Sequence, residues 1–147
     1  MGTSSYIGKK NNDGSVRCIS CHWDGYIRRG NGEKLVNFYS DIDRVDKLLD
    51  LGNLSFLGEE PIGDPKHWKY SLPDCEKNQK ACCTYKDRGD RGEDAQHLLT
   101  VGAYIRYATD VDYTYLFEDG CWKVFCDGSF VPVETILKDT GGKLYDF

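Results

Sequence analysis

Apolar positions along the chain switch between two periods. Residues 3–8 and 15–23 are two short runs, and the turn signal Asn12-Asp13-Gly14 between them predicts a β-hairpin. In the second run Arg17, Ile19, Cys21 and Trp23 share one face, and Val16, Cys18, Ser20 and His22 the other. A glycine-rich loop (Gly25, Gly30, Gly32) then exposes Arg28 and Arg29. Leu35, Val36, Phe38 and Tyr39 predict a helix of about two turns over residues 33–39. Ser40 is placed to cap a second helix, with Asp41 and Asp43 in its first turn. Ile42, Val45, Leu48 and Leu49 form the apolar stripe of that helix, and Leu51-Gly52 its stop.

Periodicity is lost over residues 58–83, which hold Pro61, Pro65 and Pro73. Residues 84–94 are dense in charge and read as a solvated, turn-rich loop; residues 95–101 predict a short helix. Alternation returns over residues 103–108, 113–118, 121–126 and 130–133, with a turn at Asp119-Gly120 and a short segment at 134–138. The reading is one α+β domain over residues 1–147: an antiparallel sheet with one helical pair packed on it. A structureless stretch as long as 58–83 needs something to clamp it.

Length changes little, since 147 residues suit one domain with a real core. Charge changes more. With 24 acidic against 19 basic residues the net charge is -5, which disfavours direct nucleic-acid binding and suits a partner that is itself basic. No apolar run is long enough for a membrane span, and the N-terminus lacks the apolar core of a signal peptide. The expected compartment is therefore the reducing cytoplasm, where seven cysteines serve as thiols or metal ligands.

The candidate chemistry begins with Cys18-Ile-Ser-Cys21. Two thiolates at this spacing take two corners of a zinc tetrahedron only if the backbone bends between them, because a straight strand points them apart. Two of His67, Cys75, Cys82 and Cys83 would complete the site, with Cys121 and Cys126 as substitutes. The working ligand set is Cys18, Cys21, His67 and Cys83, with zinc clamping the irregular segment. The plainer reading is that these cysteines are small buried hydrophobes. Asp41-Ile-Asp43 and Asp110-Val-Asp112 fit capping and strand entry better than metal-phosphate binding. The aromatics Tyr104, Tyr107, Tyr113, Tyr115, Phe117, Trp122 and Phe125 read as core and cross-strand pairs. No phosphate-binding or nucleophile-elbow motif is present in the sequence. A zinc-dependent hydrolase or nucleotide-modifying enzyme is the catalytic alternative, and it would need an open metal position.

Several segments resemble a group of small phage and prophage proteins. They are M-G-T-x-S-x-I-G at the start, C-H-W-D-G-Y at residues 21–26, L-G-N-L-S-x-L-G at 51–58 and C-T-Y-K-D-R-G-D at 83–90. Ile27 stands where that group has Pro, and Cys18 where it has a small residue. The resemblance implies a phage or mobile-element origin and similarity to inhibitors of type II CRISPR nucleases. On that reading the chain is a non-enzymatic blocker of a host defence protein, acting in the host cytoplasm with acidic side chains set against a basic surface. Candidate contacts are Asp41, Asp43, Asp46 and Asp50 on the second helix, and Asp110, Asp112, Glu118 and Asp119 at the end of the sheet. For each of them the simpler alternative is a solvated surface carboxylate.

Overall fold

The computed structural model describes residues 2–65, 68 and 80–139. The hairpin forms as the turn signal predicts: β1 (Ser5–Lys10) and β2 (Val16–Cys21) pair antiparallel with Ile7 opposite Ile19. The chain then forms α1 (Asn31–Phe38), α2 (Ile42–Asp50) and the strands β3 (Leu54–Phe56), β4 (Glu60–Gly63) and β5 (Ala81–Thr84). Next come β6 (Gln96–Leu98), α3 (Val101–Tyr107), β7 (Tyr113–Glu118), β8 (Cys121–Cys126), β9 (Ser129–Pro132) and α4 (Val133–Lys138). Strand order is β4-β5-β3-β2-β1-β7-β8-β9, with β6 against the first half of β2.

The sheet is mixed, which corrects the antiparallel expectation: β1–β7, β2–β3 and β4–β5 run parallel. The cause lies in the connections. α1 and α2 form a crossover that returns the chain beside β2 in the same direction, something a tight turn cannot do. Segment 58–83 is also less irregular than its composition suggests, since it supplies β4 and most of β5.

Both faces of the sheet are covered. One carries the main core, where Ile7, Ile19, Cys21, Tyr115 and Val124 meet Leu35, Tyr39, Leu48, Leu49 and Ile136 from the helical side. On the other, Tyr104 of α3 covers Val16, Cys18 and Leu116. The expected strand at 103–108 is thus a helix, and the expected helix at 95–101 instead holds the short strand β6 and ends where α3 begins. Thr100 starts α3 by accepting from the Ala103 N–H at 3.0 Å, and Tyr104 is the helix residue that is buried. Gly8 makes room for it: a Cβ there would lie 2.8 Å from the Tyr104 ring. The other strands of the C-terminal third form as expected.

In α2 the cap is Asp41 rather than Ser40; its carboxylate accepts from the Asp43 N–H at 2.9 Å. Val45, Leu48 and Leu49 are buried as expected, but Ile42, in the first turn, is exposed. Asp41→Ala should cost about 1 kcal/mol in chemical denaturation, and Asp41→Asn only a few tenths. Equal stability of all three proteins would remove the cap.

Candidate functional site

The thiols come first. β2 runs straight through its C-x-x-C, so Cys21 enters the main core and Cys18 the smaller cluster under α3. The two sulfurs lie on opposite faces and do not form a zinc knuckle. Cys83 and Cys82 are buried in β5, and Cys82 packs in the main core. His67 and Cys75 lie outside the described residues. Among the described residues no group of three or more His, Cys, Asp or Glu side chains is placed to hold a metal. The proposed set of Cys18, Cys21, His67 and Cys83 is therefore not assembled by Cys18 and Cys21. Burial pushes the Cys18 and Cys21 thiols up to about 12 and raises Cys82 as well. Cys121 is half-exposed, and Cys126 is buried at the far end of β8.

The C-H-W-D-G-Y stretch is a junction of the fold. Gly25 N–H donates to Thr3 O at 2.7 Å, and the Tyr115 hydroxyl donates to Gly25 O at 2.6 Å. A Cβ on Gly25 would sit 2.8 Å from the Thr3 and Ser4 carbonyl oxygens, so glycine is required there. The Asn31 side chain, fully buried at the start of α1, donates to Ser5 Oγ and Trp23 O, both at 3.1 Å. Arg28 reaches across to α4 and donates to the carbonyls of Ile136, Leu137 and Asp139, meeting the negative end of that helix.

The eight candidate acids divide by what already holds them. Asp46 pairs with Lys9 at 2.6 Å and Asp50 with Arg17 at 2.7 Å, both cations rising from the strands beneath α2. Glu118 lies between Lys10 (2.8 Å) and Lys123 (2.7 Å), whose hydrogen bonds hold its carboxyl below the usual range. Asp41 is the cap, and Asp112 accepts from the Ser4 N–H at 3.1 Å. Asp43, Asp110 and Asp119 make no ion pair among the described residues.

Two surface features were not foreseen. At one end of the sheet a cleft of about 220 Å³ is lined by Ser4, Tyr6, Ser20, His22, Tyr85 and Asp110. Tyr85 of this cleft also joins a stack: the Arg88 guanidinium lies 4.6 Å from the Trp68 ring and 5.0 Å from the Tyr85 ring. The two rings are 5.7 Å apart, and Asp90 grips Arg88 by two hydrogen bonds of 3.0 and 2.5 Å. Trp68 is tied down through its Nε1–H to Thr84 O at 2.7 Å. Topology brings residues 21–26 and 83–90 to this end, since His22 follows β2 and Tyr85 follows β5. No family model, curated protein or solved structure matches the chain. Sequence reading passed over Arg88 because Arg88-Gly-Asp90 sits in a charged loop; the signal was Tyr85 three residues before it, with a Trp elsewhere to complete the stack.

The second feature is a latch where α1 meets α2. Three successive carbonyls receive three side chains: Leu57 O from Lys34 Nζ at 2.6 Å, Gly58 O from the Tyr39 hydroxyl at 2.8 Å, and Glu59 O from Arg44 Nη2 at 2.8 Å. Arg44 Nε also donates to Phe38 O at 2.7 Å, so the end of α1, the start of α2 and the approach to β4 form one piece. Burial lowers the Lys34 pKa, and its ammonium sits 4.0 Å from the Phe56 ring centre.

Proposed function

We propose that the protein is a non-enzymatic inhibitor that binds a bacterial defence protein, an RNA-guided DNA nuclease, and hinders its loading with nucleic acid in the host cytoplasm. The observation that supports this most is the Trp68–Arg88–Tyr85 stack. Trp, Tyr and Arg are the side chains that dominate protein interfaces, and here two rings and a carboxylate hold the arginine in place before any partner arrives. Little side-chain freedom is then lost on association. The disposition of the thiols argues in the same direction: Cys18, Cys21 and Cys82 face the interior, where no substrate reaches them. Asp43, Asp110 and Asp119, which make no ion pair among the described residues, are the candidate acids best able to meet a basic surface meant for nucleic acid. No helix among the described residues is long and apolar enough to cross a membrane.

The test is a titration of DNA cleavage by a type II RNA-guided nuclease, with intact-mass analysis of the recovered nuclease. A blocker reaches its end point near one equivalent and leaves the mass unchanged. Arg88→Ala and Trp68→Ala should each raise the Kd for the nuclease by about ten-fold, the loss of one hot-spot side chain. Full inhibition far below one equivalent, or a mass change on the nuclease, would replace the blocker with an enzyme. Absence of inhibition would remove this partner.

A further inference from the structure

We propose that the corner between α1 and α2 docks a basic amphipathic segment of a partner protein, one carrying Lys or Arg on both sides of a short apolar stripe. This rests on the reading of the chain as a protein binder and adds the place and chemistry of a contact. Six large apolar or aromatic side chains stand exposed among the described residues, and three belong to this corner: Phe38 (37% exposed), Ile42 (51%) and Ile62 (51%). Phe38 ends α1, Ile42 begins α2, and Ile62 lies on β4, the strand against which α2 packs. Single exposed apolar residues are ordinary; three on adjoining elements tied together by one latch mark this corner out.

Charge selects the occupant. Asp41 and Asp43 flank Ile42, and Glu59 and Glu60 precede Ile62. None of the four is in an ion pair among the described residues, whereas Asp46 and Asp50 further along α2 are neutralised by Lys9 and Arg17. The cations within the corner, Arg44 and Lys34, are both turned inward: Arg44 donates to Phe38 O and Glu59 O and lies over the Tyr39 ring, and Lys34 donates to Leu57 O. Lys47 stands a turn further along α2. An apolar centre rimmed by carboxylates repels phosphate, which disfavours nucleic acid and anionic lipid, and attracts a cationic protein segment. The latch on the carbonyls of Leu57, Gly58 and Glu59 holds the rim in position before binding.

The probe is a helical Leu/Lys peptide of about five turns, compared with the same peptide carrying Glu for Lys. Amide shifts of the labelled full chain should move at residues 37–44 and 58–63 with the Leu/Lys peptide and stay in place with the Leu/Glu peptide. Ile42→Ser, and Asp43→Asn combined with Glu59→Gln, should each weaken binding about ten-fold. Asp50→Asn, which removes a carboxylate already paired with Arg17, should change it by less than about two-fold. Shifts centred elsewhere, equal binding of the Glu peptide, or equal weakening by Asp50→Asn would overturn the proposal. Thermal unfolding of each variant separates a lost contact from a lost fold. The nuclease titration reads the function independently: a peptide seated at the corner of a protein that inhibits no nuclease would keep the docking site and discard the inhibitor.

Discussion

Tyr39→Ala is expected to destabilise the fold by about 3–5 kcal/mol, the range for deleting a fully buried large side chain. For a chain of this size that lowers the melting temperature by roughly 10 °C or more. Two interactions depend on the Tyr39 side chain: its ring packs in the main core, and its hydroxyl makes the middle bond of the latch on Gly58 O. The main-chain carbonyl of the same residue, which accepts from Trp122 Nε1 at 2.7 Å, remains in the variant. The hydroxyl also lies 3.9 Å from Cys82 Sγ, and that sulfur accepts from the Gly58 N–H at 3.2 Å. Tyr39→Phe keeps the ring and leaves Gly58 O without this donor, so it should cost about 1–2 kcal/mol. Gly58 cannot retreat to compensate, because a Cβ there would already meet the Ala81 carbonyl at 2.4 Å. Denaturant titration of wild type, Phe and Ala proteins should order them in that sequence. A Phe variant as damaged as the Ala variant would mean the hydroxyl network, rather than ring packing, holds this corner.

The second large effect is in thiol chemistry. A thiol whose pKa rises from 9 to about 12 has roughly a thousand-fold less thiolate at pH 8, and the thiolate is the nucleophile. Cys18 and Cys21 should therefore react with iodoacetamide in the folded protein about a thousand-fold more slowly than in denaturant, while half-exposed Cys121 reacts at an ordinary rate. Peptide mass spectrometry of timed samples assigns each site. Rapid labelling of Cys21 in the native protein would contradict its burial.

The same shifts predict an alkaline limit to stability. Above about pH 9 the unfolded chain releases thiol protons that the folded chain still holds, so the unfolded state binds fewer protons. Stability contributed by Cys18 and Cys21 is complete below pH 9 and falls between 9 and about 12. Each thiol contributes a slope of about 1.4 kcal/mol per pH unit within that window. Burial raises Tyr6, Tyr39, Tyr104 and Tyr115 in the same direction, which steepens the fall.

Much of the molecule is legible from local pattern. The β1–β2 hairpin, the division of β2 into Ile19 and Cys21 on one face and Val16 and Cys18 on the other, and the three buried positions of α2 follow from periods of two and of 3.6 residues. These are short-range properties, settled by which side chains a local backbone can bury together. The stretch 103–108 defeated that logic because Ala-Tyr-Ile-Arg-Tyr-Ala suits a strand by alternation and a helix by the spacing of Val101, Tyr104 and Ala108. The Thr100 cap and the hollow above Gly8 select the helix.

For the candidate site, sequence identified residue types and tertiary structure decided their use. Acidic side chains on α2 are evident from the sequence, but only the fold places Lys9 and Arg17 beneath Asp46 and Asp50 while Asp43 makes no ion pair among the described residues. C-x-x-C is evident as well, yet a straight strand separates its sulfurs by the thickness of the sheet. Strand order is decided the same way: alternation marks β7 as a strand but does not place it parallel to β1, more than a hundred residues earlier. The reason is common to all three. Periodicity reports which face of an element is buried, while neighbours far apart in sequence are chosen by how the complete set of apolar faces closes into one core.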